Sequence, residues 1–94
     1  MNNIQICIPK VHKKYTYKWI FQIINKYKLG KIKNINITPY HNTTHFNKVV
    51  VEFYYWHNNK KNLSINQRLD NKGNIKIIYD APWFWKCFKY INDK

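Results

Sequence analysis

Acidic residues are scarce in this chain. Four Asp and Glu stand against 17 Lys and Arg in 94 residues, for a formal charge of +13. With dispersed histidines and no glycine-rich phosphate loop, so few carboxylates leave no acid–base or nucleophile–base pair to name. The expectation is a non-enzymatic protein that needs no cofactor. Glycine, at 2, and proline, at 3, are too rare for a collagen-like or linker-like chain. The 2 cysteines, Cys7 and Cys87, lie too far apart to suggest a disulfide framework, so the expected setting is intracellular and reducing. No apolar run approaches the roughly 18 residues of a membrane span. The opening MNNIQICIPKVHKK lacks the charged start and apolar stretch of a secretory signal, so neither secretion nor a membrane partner is expected. His41 and His45 have a zinc-like spacing but no Cys-x-x-Cys companion, so no metal is expected. Arginine is nearly missing too: Arg68 stands alone, and lysine, which lacks the planar fork of arginine, supplies the rest of the charge.

What is present is apolar and aromatic. Hydrophobic residues make up 45% and aromatic residues 18%, too much for a disordered tail. The length suits one small domain, residues 1–94. Asn, Ile, Lys and Tyr dominate, and their AT-rich codons suggest an AT-biased genome; mutational drift toward Lys then explains part of the charge, but not the dearth of acids.

Periodicity gives the elements. Ile4, Ile6 and Ile8 alternate with Gln5 and Cys7, predicting a strand that Pro9 ends. Thr16 is a suitable N-cap for a helix whose apolar face is Ile20, Ile23, Ile24 and Tyr27, with Gly30 as its left-handed stop. Ile35 and Ile37 alternate with Asn34, Asn36 and Thr38 in a second strand that Pro39 closes. KVVVEFYYW predicts the third strand, with Val49, Val51 and Phe53 on one face and Lys48, Val50 and Glu52 on the other. A weak helix follows, its apolar side being Leu63, Ile65 and Leu69. NIKIIYD is the fourth strand, Ile75 and Ile77 facing the core. The remaining APWFWKCFKYINDK reads as an aromatic C-terminal extension. The order β-α-β-β-α-β predicts an α+β two-layer sandwich of ferredoxin-like type, its helices on one face of an antiparallel sheet.

At this length the order resembles the RNA-recognition motif (RRM). ICIPKV (6–11) is similar to that family's short signature on the first strand, and FNKVVVEF (46–53) to its longer one on the third. LGKIKNINI resembles the usual helix-stop-strand join. ICIPKV together with IIYDAPWFWK looks like the small RRM-like proteins of large DNA viruses. The resemblance implies an RRM-like scaffold, single-stranded RNA or DNA as partner, and an infected host cell (cytoplasm, viral factory or nucleus) as the place of action. It also implies that rings on the open sheet stack nucleobases. At the matching positions this chain has Cys7, Lys48 and Val50, so the usual stacking platform is missing.

The candidate nucleic-acid-binding residues are therefore Gln5, Cys7, Lys10, Asn36, Lys48, Val50, Lys76, Trp83, Trp85 and Lys86. Lysines are expected to contact phosphates, Asn36 and Gln5 to read base edges, and Trp83 and Trp85 to replace the missing rings. Dispersed lysines give affinity with little choice of sequence. The alternative is a protein-interaction module on the same scaffold, monomeric or weakly dimeric, whose sheet is sealed by the Trp83-Phe84-Trp85 segment. Trp19 is placed either to meet a partner or to pack on that segment. Tyr54, Tyr55 and Trp56 are expected to fold over the second helix.

Overall fold

The computed structural model describes residues 5–40 and 44–90. They form β1 (Gln5–His12), α1 (Tyr17–Lys26), β2 (Gly30–Pro39), β3 (Phe46–Trp56), α2 (Lys60–Lys72), β4 (Asn74–Asp80) and β5 (Trp83–Tyr90). The strands make one antiparallel sheet in the order β2-β3-β1-β5-β4. Ile20 and Ile24 of α1 and Leu69 of α2 share a core with Ile6, Val49, Val51, Phe53 and Ile77, so both helices cover the same sheet face. The α+β architecture and the alternation of β3 and β4 are as the sequence predicts. Ile4 and His41 lie outside the described residues.

The extension departs from expectation. It is a strand, and it lies between β4 and β1. Its period of two explains why it can. Trp85 and Cys87 point to the helices and are 3% and 0% exposed, while Phe84, Lys86 and Phe88 take the opposite face. The strand read as the fourth pairs with β5 and not with β1, so the strand order differs from the four-stranded ferredoxin-like one, and that strand lies at the edge. There the Tyr27 hydroxyl accepts from the Ile78 amide at 2.7 Å and donates to the Ile78 carbonyl at 3.3 Å. Backbone groups that an edge leaves open are thereby paired.

Four local readings also change. Pro9 does not end β1; the ladder with β3 passes through an irregularity between Ile8 and Val11 and continues to His12. The left-handed residue after α1 is Lys28, with φ 53°, not Gly30. Gly30 already belongs to β2, where an added Cβ would meet the Tyr55 carbonyl oxygen and lie 2.8 Å from Trp56 Cα. In α2, Leu63 is exposed and Asn62 is buried. Asn62, Ile65 and Leu69 fall at i, i+3 and i+7, whereas Leu63 lies off that face. Thr16 caps α1 as predicted, its Oγ1 accepting from the Trp19 amide at 3.3 Å.

Candidate nucleic-acid interface

The face away from the helices is built by alternation. Opposite Gln5 stand Glu52 on β3 and Tyr90 on β5; opposite Cys7 stand Val50 and Phe88; opposite Asn36 stands Val50. The register therefore gathers Gln5, Asn36, Lys48 and Val50 around one shallow depression of about 220 Å³, closed on one side by Tyr90. Lys48 Nζ lies 5.9 Å from the Tyr90 ring centre. Asn36 Oδ1 accepts from Asn34 Nδ2 at 3.0 Å. Val50, 8% exposed, is the floor and offers little surface of its own. Burial raises the Cys7 thiol above its ordinary pKa, with Lys48 opposing.

The second half of the face belongs to β4 and β5. Lys76 and Lys86 stand directly opposite each other. Like charges so placed repel across the ladder. Lys76 Nζ lies 4.8 Å from the ring centre of Phe84, which is 44% exposed. Phe88, half-buried, sits beside Cys7. β5 thus places the rings of Phe84, Phe88 and Tyr90 on this face. Phe84, Phe88 and Tyr90 are not among the candidate binding residues that the sequence suggests. The signal was present: rings at alternate positions 84, 88 and 90 share a face with Lys86.

Lys10 extends the face toward β3, its Nζ 4.6 Å from the Phe46 ring centre. At the far end Tyr54 is 57% exposed, with Lys31 and Lys33 at 5.5 and 6.0 Å from its ring. Tyr54 and Tyr55 do not fold over α2, because they end a strand that runs past the core; Trp56 alone of the three packs against it.

The two tryptophans separate. Trp83 is 63% exposed. Trp85 is a core residue: Tyr79 stacks on it at 4.7 Å, and Trp19 and Tyr15 meet it edge-on at 6.1 Å. Its burial withdraws it from any stacking role, and it explains where Trp19 packs. The Trp83-Phe84-Trp85 segment does not seal the sheet, because it lies in the plane of the strands as part of β5. Among the described residues, no group of three His, Cys, Asp or Glu could hold a metal ion, and no helix is long and apolar enough to cross a membrane.

No protein-family model, curated protein or solved structure matches the chain.

Proposed function

We propose that this protein is a non-enzymatic, RRM-like binder of single-stranded nucleic acid, RNA in the first instance, acting through the open face of its sheet. One observation carries the reading. β5 places Phe84, Phe88 and Tyr90 among Lys10, Lys48, Lys76 and Lys86 on the sheet face away from both helices. Interleaved rings and ammonium groups are what a flexible polyanion with flat bases requires. Stacking contributes about 1–3 kcal/mol per base, and each phosphate neutralised releases counterions. Glu52 is the acid of the depression around Lys48, and it lies 3.5 Å from the amide of Asn34. The uncompensated repulsion between Lys76 and Lys86 points the same way, because a bound phosphate would relieve it. The resemblance to small proteins of large DNA viruses agrees with this role.

The test is anisotropy titration of a labelled single-stranded RNA at low and moderate salt. Tight binding at low salt with a steep negative salt slope is expected. Phe84→Ala with Phe88→Ala should weaken it by about tenfold or more, from the lost stacking. Absence of binding at low salt, or a double variant that binds as well as the parent, refutes the reading.

A further inference from the structure

The two ladders of β1 part at its midpoint. Pairing with β5 ends at Cys7, whereas pairing with β3 resumes at Val11 and reaches His12, opposite Phe46. Pro9 has no amide proton with which to continue a ladder. β5 meanwhile remains paired with β4 back to Trp83. Between the end of β1 and the start of β5 this leaves a notch of about 390 Å³. That is within the range of small-ligand sites.

The notch has a rigid floor and a chemically mixed rim. Trp85, Tyr79 and Tyr15 line it and are locked together by their ring contacts. Trp83 and Phe84 line it from β5, Lys10 from β1, and Lys14 from the turn that follows. Asp80, which closes β4 opposite Trp83, lines it as well. The ion pair among the described residues is Lys89–Asp70, so Asp80 has no cationic partner although two lysines share its notch. An exposed indole, two ammonium groups and an unpaired carboxylate thus face one space.

These groups differ in what they select. The indole stacks any base and the ammonium groups take phosphate. A carboxylate only accepts hydrogen bonds. Among the common bases, guanine presents two adjacent donors, N1–H and the N2 amino group, on its pairing edge; the others set a donor beside an acceptor. We infer that the notch holds a guanine nucleotide. Trp83 stacks the base, Asp80 accepts from N1–H and N2–H, and Lys10 and Lys14 meet the phosphate. This rests on the sheet face being a single-strand site, to which it adds a preference for one base.

The experiment compares a uridine hexamer with the same oligomer carrying one guanosine or one inosine, which lacks the N2 amino group. Guanosine 5′-monophosphate and adenosine 5′-monophosphate are titrated separately. The guanosine oligomer should bind about tenfold tighter than the uridine one, with inosine between them. Asp80→Asn should abolish that preference while tightening the uridine hexamer, because a repelling charge is gone; the two effects have opposite signs. Circular dichroism checks that the exposed substitution leaves the fold intact. Guanosine monophosphate binding without oligomer binding supports the notch and assigns it a free nucleotide. Equal affinity for all oligomers, or a shift by Asp80→Asn that is the same for each, overturns the guanine assignment and leaves the sheet-face reading standing. No binding of any oligomer or mononucleotide overturns both.

Discussion

At the scale of single residues, the turn between α1 and β2 carries more than its sequence suggests. Lys28 is held at φ 53°, where a side chain costs about 1–2 kcal/mol relative to glycine. Lys28→Gly should therefore raise stability by about 1 kcal/mol in urea unfolding. Gly30→Ala should lower it by about 1–3 kcal/mol, since the new Cβ meets backbone that moves only if β2 and β3 part. The same turn is tied to α2 by Asn62, whose Nδ2 donates to the carbonyls of Leu29, His57 and Lys28 at 2.9, 3.1 and 3.3 Å. Asn62→Ala should cost about 1–3 kcal/mol, and Asn62→Leu should not restore it, because the Lys28 and His57 carbonyls lose this donor while Leu29 keeps only the His57 amide. Chemical denaturation of the two variants, side by side, tests whether the hydrogen bonds or the volume matter. A helical wheel shows position 62 on the buried stripe, but an asparagine there is read as surface until its acceptors, more than thirty residues away for two of them, are known.

At the scale of elements, β5 organises the molecule. Its inward residues complete the core and its outward ones complete the open face. Trp85→Ala should lose about 3–5 kcal/mol of stability, whereas Trp83→Ala should leave the unfolding midpoint nearly unchanged. Thermal unfolding separates them directly. Lys86→Glu turns the repulsion with Lys76 into attraction, so a gain of about 0.2–1 kcal/mol in stability is expected. The same change should weaken single-stranded RNA binding and flatten its salt slope. A variant that is more stable yet binds as before would remove Lys86 from the interface. The alternation of WFWKCFKY was legible, since it predicts two faces. Which face meets the helices was not, because that depends on β1 and β4 lying on either side.

At the scale of the whole molecule, two weak acids, Cys87 and Tyr79, are shifted in the same direction. Burial pushes the Cys87 thiol far above its ordinary 9.0, and Tyr79 is also raised, first by burial and then by Tyr15. The folded state holds these protons more tightly than the unfolded chain. Stability is therefore full below about pH 9 and falls as pH rises above it. Urea midpoints between pH 8 and 10 should decline, and the decline should be shallower in Cys87→Ala; comparing slopes cancels the common titration of the lysines. What the sequence determined alone was local: the periods of two and of 3.6, the cap at Thr16, and an excess of positive charge with few acids. These depend on neighbours within a turn or a strand, so the chain reveals them without folding. Tertiary structure decided the rest: β5 beside β1, Trp85 inside and Trp83 outside, and the notch where the ladders diverge. A strand's hydrogen-bonding partners are distant in sequence, and a period of two marks two faces without saying which neighbour each will find.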